Sequence, residues 1–274
     1  MKINLNGKLT SLETPIVMGI VNYTEDSFYD GGRYFDEQRL RERVASLVEE
    51  GVDIIDLGAI STRPGATELD EVSEIERVKV ALKLIVKEFP NVPVSIDTWR
   101  ASVAEMSIGE GAAMINDISG GTFDEKMIPL IGKTKVPYCL MHTTAKPELM
   151  QQCTEYVDIL SDIMQYFERQ IVQLKDAGAN DIILDPGFGF GKTLEQNYFI
   201  MENLNVFSVF NLPLLVGVSR KSMIYKLLDT TPQESLNGTT VLNTVAILKG
   251  AHILRVHDAK EVKETIQILQ TLKQ

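Results

Sequence analysis

Eight short apolar runs, each followed by a longer amphipathic stretch, constrain the fold of this chain more than any other feature. The runs are continuously hydrophobic rather than alternating, which indicates strands that are covered on both faces. Eight strand–helix units in about 250 residues predict a single (β/α)8 TIM barrel that takes in the whole of residues 1–274. A doubly wound open sheet is the alternative, although such sheets usually have fewer strands. The runs are 15–22, 52–58, 92–97, 112–117, 136–142, 181–187, 213–219 and 252–258.

The stretches between these runs have apolar residues at helical spacing. Four of them, at 37–51, 68–89, 156–178 and 233–250, predict long helices. The second is acidic at its start and basic towards its end, the order that the helix dipole favours. No linker or low-complexity segment divides the chain, so we expect one domain.

The composition argues against several classes of protein. A net charge of −11 and a pI near 4.9 do not suit a nucleic-acid-binding surface. No stretch approaches about 18 uninterrupted apolar residues, and the N-terminus lacks the apolar segment of a signal peptide. We therefore expect a soluble, cytoplasmic protein that contacts neither membrane nor nucleic acid. Cys139 and Cys153 have no metal or redox spacing, and the apolar run around Cys139 predicts a buried, inert thiol.

Polar residues stand at the C-terminal ends of all eight predicted strands. In a TIM barrel these ends surround one mouth, where ligands bind. A single polar residue at a strand end is expected as a helix cap, but a full set is better explained by ligand contacts. The set consists of Asn22, Asp56, Asp97, Asn116, Asp117, His142, Asp185, Ser219, Arg220, Lys221, Arg255 and His257.

Asp97, Asn116 and Asp185 predict a pocket for a neutral heterocycle rich in N–H donors. A carboxylate accepts two parallel N–H bonds from an amidine-like edge, as it does from arginine. The aminopyrimidinone ring of guanine and pterins has such an edge. Asn116 can donate and accept at once, which suits a ring that presents both kinds of group. Taken singly, each of the three residues could instead cap the helix that follows it.

Positively charged residues predict an anion site at the same mouth. Arg63 lies in the loop 61–66, and Arg220 and Lys221 follow the seventh strand. Arg255 and His257 are two residues apart in the eighth strand, so they face the same side and can address one anion together. The loops after strands seven and eight are the usual phosphate site of a barrel. Solvated surface charge is the alternative, and it suits Arg255 least because this residue lies in an apolar run.

A Mg²⁺ ion shared between the side-chain oxygen of Asn22 and a bound phosphate would fit the end of the first strand. Mg²⁺ usually takes one or two protein ligands and completes its shell with phosphate oxygens and water. The three histidines, by contrast, lack the spacing of a zinc site.

The segment DPGFGFGKT, from Asp185 to Thr193, looks like a phosphate-binding loop but has the wrong spacing. A Walker A loop would require a glycine at position 186, which is occupied by Pro186, a residue with no N–H to donate. The segment instead predicts a glycine-rich turn after the sixth strand, close to a ligand. Lys192 is assigned a helix-start or structural role rather than a contact with phosphate.

Motifs in these regions resemble those of the dihydropteroate synthase family over nearly the whole chain. Their order and spacing match the family. They are MGIVNYTEDSFYDGG (18–32), DLGAISTRPGA (56–66), SIDT (95–98), INDISGG (115–121), LMH (140–142), KPELMQ (146–151), ILDPGFGFGKT (183–193), LLVGVSRKSMI (214–224) and GTTVLNTVAILKGAHILRVHD (238–258).

The resemblance implies a transferase of folate biosynthesis and a sulfonamide target. It would join 6-hydroxymethyl-7,8-dihydropterin diphosphate to p-aminobenzoate, with Mg²⁺ as cofactor, as a homodimer formed through helices near the C-terminus. The implied pterin-binding residues are Asp97, Asn116, Asp185 and Lys221. The implied diphosphate and Mg²⁺ residues are Asn22, the metal ligand, with Arg63, Arg255 and His257. The implied p-aminobenzoate contacts are Thr62, Pro64, Phe190, Lys221 and Ser222. The implied catalytic residues are Arg63, Asp97, Asp185, Lys221, Arg255 and His257.

The chain departs from the usual family pattern at three places. Glu25 replaces a proline of the first loop, Ala59 and Ile60 stand in the second, and Thr143 to Ala145 follow the MH pair. None of these changes removes a residue with an implied role. Two other functions stay open: a pterin-binding methyltransferase acting on methyltetrahydrofolate, against which STRPG and RVH argue, and a non-catalytic paralogue.

Overall fold

The computed structural model describes residues 1–23, 33–59 and 69–272, without the side chains of 33–36. Each of the eight predicted runs contains one of eight strands that form a single sheet, which confirms the prediction. Two further strands, at the N-terminus, were not predicted. In these residues the strands are β1 (Lys2–Leu5), β2 (Lys8–Ser11), β3 (Ile16–Asn22), β4 (Ile54–Gly58), β5 (Val94–Asp97), β6 (Met114–Asp117), β7 (Tyr138–Met141), β8 (Ile182–Asp185), β9 (Leu215–Val216) and β10 (Ile253–Val256).

The eight strands β3 to β10 close into a parallel barrel. Their order is β8-β7-β6-β5-β4-β3-β10-β9. A parallel bridge between Leu184 and Leu214 joins the two ends of this order, and Leu184 N donates to Pro213 O at 2.8 Å. Strands that follow one another in sequence lie side by side, which excludes the doubly wound sheet, where the order reverses. The fold is the predicted TIM barrel.

Helices follow the strands and cover the outside of the sheet. The four predicted helical segments correspond to the first, second, fifth and eighth helices. In the described part of the chain these helices are α1 (Arg33–Glu49), α2 (Glu71–Glu88), α3 (Ala101–Gly109), α4 (Met127–Thr134), α5 (Ile159–Ala177), α6 (Leu194–Glu202), α7 (Ser222–Tyr225), α8 (Leu236–Leu248) and α9 (Ala259–Leu272). Within these same residues no helix is long and apolar enough to cross a membrane.

Alternation along each strand places polar side chains inside the barrel. In β4, Ile55 and Leu57 pack beneath the helices, whereas Ile54 belongs to a separate apolar cluster with Met114 and Ile183 of other strands. Successive side chains of a strand point to opposite faces. Asp56 therefore shares the interior with Ile54, one layer nearer the mouth.

The hairpin of β1 and β2 packs against the far end of the barrel. Ile3, Leu5 and Leu12 join the interior cluster that also contains Cys139, which is buried as predicted. Asn6 and Gly7 have φ values of 50° and 82°, the positive angles of a type I′ turn. The Asn-Gly pair is a strong hairpin signal, so this element was open to prediction from the sequence.

Candidate active site

A polar pocket opens at the C-terminal ends of the barrel strands. Most of its lining residues come from the ends of β5 to β8 and β10 and from the turns after β8 and β9. It contains the four residues that were assigned to a pterin, together with Arg255 and Phe190. The lining residues are Asp97, Asn116, Ile118, Met141, Asp185, Phe190, Gly217, Lys221 and Arg255.

Arg255 connects two buried carboxylates at the base of this pocket. Its Nε donates to Asp56 Oδ2 and its Nη2 donates to Asp97 Oδ2, both at 2.6 Å. Asp56 is fully buried, and burial alone would disfavour its charge, so the guanidinium supplies the compensating contact. These two carboxylates raise the pKa of Arg255, which keeps its positive charge.

Each pterin-assigned carboxylate has one oxygen that accepts from the protein and one that accepts from none of the described residues. Asp185 Oδ1 accepts from Gly187 N at 2.8 Å, and Asp97 uses Oδ2 for Arg255. Burial raises the pKa of both carboxyl groups, for Asp97 to about 7 despite the opposing effect of Arg255. The pocket can therefore offer two acceptor oxygens to an N–H edge.

Asn116 completes the polar wall between these carboxylates. It is buried, and its Nδ2 donates to Asp56 Oδ2 at 3.0 Å. Because the acceptor is a carboxylate, the amide nitrogen rather than the oxygen must face Asp56. The amide oxygen is then the atom left for a ligand.

Lys221 enters the pocket from a strained turn after β9. The preceding residue, Arg220, has a φ of 55°, and its guanidinium makes two hydrogen bonds to Asp258, of 2.9 and 2.6 Å. Lys221 Nζ donates to Phe188 O at 2.5 Å and lies 4.7 Å from the centroid of the Phe190 ring. Burial lowers the pKa of Lys221 to about 8. The Arg220 pair thus holds the turn, while Lys221 supplies the charge in the pocket.

His257 lies beside the pocket, two residues after Arg255. Ser219 Oγ accepts from the backbone N–H of His257 at 3.1 Å and lies 3.0 Å from its Nδ1. The pKa of His257 is lowered to about 4, mainly by burial and in second place by the positive charge of Arg255. The ring is therefore neutral at pH 7 and available as a hydrogen-bond donor.

The DPGFGFGKT segment forms the predicted glycine-rich turn after β8. Gly187, Gly189 and Gly191 all have positive φ values, of 72°, 83° and 62°. A Cβ on Gly187 would lie 2.0 Å from His142 O, so a larger residue does not fit there. Every second residue thus needs the left-handed conformation, which accounts for the alternating glycines.

Lys192 has a structural role, as predicted. It is buried, and its Nζ donates to Gly187 O and Phe190 O, each at 2.9 Å, and lies 3.2 Å from His142 Nδ1. Burial lowers its pKa to about 7. The side-chain nitrogen of Lys192 fastens the glycine-rich turn to the end of β7, and α6 then starts at a capping box of Thr193 and Gln196.

The end of β3 offers oxygen atoms to a Mg²⁺ ion. Asn22 is exposed, and a Cβ placed on Gly58 would lie 3.8 Å from Asn22 Oδ1 and 3.7 Å from Asp97 Oδ2. The missing side chain of Gly58 leaves a cradle between these oxygen atoms. The described residues contain no group of three or more acidic, His or Cys side chains that could hold a metal alone. The donors fit an ion that arrives with a diphosphate, not a protein-only site.

Some of the residues that the sequence analysis singled out cannot be located in the site. Thr62, Arg63, Pro64, Glu25 and Ile60 lie outside the described residues. Ser222 is the first residue of α7, directly after Lys221, and is not among the lining residues of the pocket.

Sequence reasoning gave no role to one residue behind the pocket and to three residues that line it. Asp56 was noted as a strand-end polar residue but received no role, because its partner Arg255 is 199 positions away. Unlike Asp56, the residues Ile118, Met141 and Gly217 line the pocket itself. For Ile118 and Met141, nothing in the sequence distinguishes an apolar residue of a pocket wall from one of the hydrophobic core.

Comparisons with known proteins agree with this fold and site. The family model described as "Pterin binding enzyme" matches residues 18–257. Dihydropteroate synthase of Escherichia coli K12 is 40% identical over 272 residues, which cover 98% of this chain and 96% of that protein. The Clostridium beijerinckii enzyme of the same name is 43% identical over 252 residues, 91% of each chain. The Yersinia pestis dihydropteroate synthase, solved with a sulfonamide drug complex, superposes with a TM-score of 0.93 at 38% identity, covering 100% of this chain and 99% of that one.

A closed (β/α)8 barrel whose mouth holds two buried carboxylates, an amide, a lysine and an arginine defines a pterin-binding enzyme of the TIM-barrel class. Within that class, the matches to the two dihydropteroate synthases from Escherichia coli and Yersinia pestis cover 98% and 100% of this chain. The chain belongs to the dihydropteroate synthase family.

Proposed function

We propose that the protein joins 6-hydroxymethyl-7,8-dihydropterin diphosphate to p-aminobenzoate in folate biosynthesis, giving 7,8-dihydropteroate and diphosphate. The observation that carries this proposal is the meeting of Asp97, Asn116, Asp185, Lys221 and Arg255 in one pocket. These side chains combine acceptors for an aminopyrimidinone edge with positive charge for an anionic leaving group. The related enzymes bear the corresponding name.

The pterin would bind with its N–H edge on the carboxylate of Asp185 and the oxygen of Asn116. The free oxygen of Asp97 would accept a further ring N–H. Ile118 and Met141, which line the same pocket, would contact the flat faces of the ring. Apolar walls with a few converging polar groups are typical of small-molecule sites.

The reaction would proceed by SN1-like substitution. The bond between the exocyclic methylene carbon and the diphosphate oxygen breaks first, and its electron pair leaves with diphosphate. The electron-rich dihydropterin bears the resulting positive charge, stabilised by the buried carboxylates of Asp97 and Asp185. The amine nitrogen of p-aminobenzoate then forms the new bond to the methylene carbon and loses a proton to solvent. Charge stabilisation by preorganised groups is the main catalytic effect expected of such a site.

Arg255, His257 and Arg63 would bind the departing diphosphate. His257 would donate from a neutral ring, whereas Arg255 acts as a permanent cation. Mg²⁺ held by Asn22 and the phosphate oxygens would supply additional positive charge to the leaving group when bound. An Asn22→Ala variant should need more Mg²⁺ for half-maximal rate, and an unchanged Mg²⁺ dependence would contradict the assignment.

p-Aminobenzoate would lie at the outer part of the pocket. Phe190 offers an apolar surface there, and Lys221 lies above its ring with a charge that suits a carboxylate. Ser222, Thr62 and Pro64 would complete the contact. An arylamine reacts as the neutral base, so its orientation should matter more than a strong general base.

The test of this function is p-aminobenzoate-dependent release of diphosphate from the pterin diphosphate. A methyltransferase would instead demethylate methyltetrahydrofolate, and a non-catalytic paralogue would bind pterin without turnover. Either result would overturn the proposal.

We also propose a homodimer formed through the C-terminal helices. Val241 and Leu248 are exposed seven residues apart on α8, and Ile268 and Leu272 are exposed on α9. Residues four or seven apart share one face of a helix, so each of the two helices presents a pair of apolar side chains outwards. Light scattering should give twice the chain mass, and Val241→Glu should lower it to that of one chain.

A further inference from the structure

We propose that Asp56 is a positioning residue that sets both Arg255 and Asn116 for the reaction. A single oxygen, Asp56 Oδ2, accepts from Arg255 Nε at 2.6 Å and from Asn116 Nδ2 at 3.0 Å. The first partner is assigned to the leaving group and the second to the pterin. The inference rests on the proposed function and adds a residue that does not line the pocket itself.

The position of Asp56 explains why Arg255 does not turn its whole guanidinium towards Asp97. A free arginine would form two parallel bonds to one carboxylate. Here Nε of Arg255 donates to Asp56, so Asp97 accepts a hydrogen bond from Nη2 alone among the guanidinium nitrogens. Asp97 keeps one oxygen, and Nη1 of Arg255 donates to none of the described residues. Asp56 thereby leaves a carboxylate oxygen for the pterin and a charged N–H pair for the diphosphate.

The second contact decides which atom of Asn116 meets the ligand. An ionised carboxylate only accepts hydrogen bonds, so it holds the Asn116 nitrogen towards itself. The amide oxygen is then the ligand-facing atom, and Asn116 acts as an acceptor for a ring N–H. Without Asp56 the amide can rotate, so that its nitrogen, a donor, faces the ring N–H in place of the oxygen.

Stability does not account for a charge at this depth. Asp56 is fully buried, and its Oδ1 accepts no hydrogen bond in the described part of the chain. Replacement of buried ion pairs by apolar residues of similar size is often neutral or stabilising. The interior layer directly below Asp56, which contains Ile54 and Met114, is already apolar. A carboxylate with an unpaired oxygen is better explained by the two groups that it orients.

The test compares Asp56→Asn with Asp53→Asn, in wild type and in Arg255→Ala. Asp53 is a matched control, since it precedes the same strand and is ion-paired with Lys263 at 2.5 Å, away from the pocket. We expect Asp56→Asn to lower kcat at least about 10-fold while KM for p-aminobenzoate changes less than about threefold. In the Arg255→Ala background, the same change should lower kcat by a smaller factor than in wild type, since Arg255 is gone and Asn116 is the one remaining residue through which Asp56 acts.

Asp53→Asn should lower the melting temperature and leave kcat within about twofold. If Asp56→Asn behaved in the same way, or if its effect on kcat were undiminished in Arg255→Ala, the positioning role would be wrong. If wild type itself released no diphosphate with p-aminobenzoate, the proposed function would be the part that fails.

A measurement on the wild-type protein covers the case in which Asp56→Asn does not fold. The Arg255 Nε–H signal in a ¹⁵N spectrum, assigned by its loss in Arg255→Lys, should be protected from exchange with and without bound diphosphate. Loss of that protection on diphosphate binding would show that Asp56 releases Arg255, contrary to the proposal.

Discussion

The guanidinium of Arg255 donates from Nη2 to Asp97 Oδ2 at 2.6 Å, so a residue assigned to diphosphate is hydrogen-bonded to one assigned to pterin. The two halves of the site are therefore electrostatically coupled before any ligand binds. The pKa of Asp97 is raised by burial and opposed by this contact, and Arg255 stays charged. Loss of either residue should disturb both ligands.

Arg255→Ala should lower kcat by on the order of 100-fold, because it removes a charge placed at the leaving group. It should also reduce the free energy of unfolding by about 3 kcal/mol, since Asp56 and Asp97 lose their buried cation. Steady-state kinetics and urea denaturation measure the two effects. Arg41→Ala, which breaks a surface pair with Glu88, is the control and should change neither appreciably. Near wild-type turnover in Arg255→Ala would rule out the leaving-group role.

Asp185→Asn should weaken binding of a pterin without diphosphate roughly 10- to 100-fold. One oxygen still accepts from Gly187 N, but the other becomes an amide that turns N–H groups towards the N–H edge of the ring. Calorimetry with the pterin measures the loss directly. Asp181→Asn is the matched control, because Asp181 precedes the same strand and its side chain accepts from Asn4 N at 3.1 Å, at the far end of the barrel. Equal affinity in the two variants would refute the contact.

The rate should depend on pH with limbs near the pKa values of two pocket residues. Asp97, with a pKa of about 7, must be ionised, so kcat/KM should rise as the pH increases to about 7. Lys221, with a pKa of about 8, must be protonated, so kcat/KM should fall above about 8. Profiles of kcat/KM for the pterin diphosphate, measured from about pH 6 to about pH 9.5, should show both limbs.

Lys221→Arg isolates the alkaline limb of that profile. Arginine stays protonated throughout this range, so its residual activity should not fall above about pH 8. The comparison with wild type cancels any titration of the substrate itself. An alkaline limb that persists unchanged in Lys221→Arg would assign it to another group.

Gly187→Ala should destabilise the protein by more than Gly250→Ala. Both glycines have positive φ, of 72° and 99°, so both substitutions carry the same kind of backbone strain. A Cβ at position 187 also meets His142 O at 2.0 Å, whereas a Cβ at position 250 has no described residue within 4 Å. We expect roughly 1 kcal/mol for Gly250→Ala and at least about 2 kcal/mol for Gly187→Ala. An equal loss of stability in the two variants would show that the turn at Gly187 can relax around the added Cβ without a further cost.

Much of the fold follows from patterns that are local in the sequence. The apolar runs and the amphipathic stretches gave the barrel strands and the long helices, because period and hydrophobicity are local properties. The N-terminal hairpin was missed, although Asn6 and Gly7 carried its turn signal, since its strands are short and little of them is buried. The position of the polar residues at the C-terminal ends of the predicted strands also placed them at one mouth of the barrel.

The sequence by itself determined the barrel, the polar ring at its mouth and the structural rather than phosphate-binding character of DPGFGFGKT. Only the tertiary structure decided how those side chains divide their hydrogen bonds. Arg255 and Asp56 are 199 positions apart, and Lys192 and His142 are 50 apart, so no local pattern reports their contacts. Which oxygen of Asp97 stays available, and which atom of Asn116 faces the ligand, depend on partners that meet only when the barrel closes.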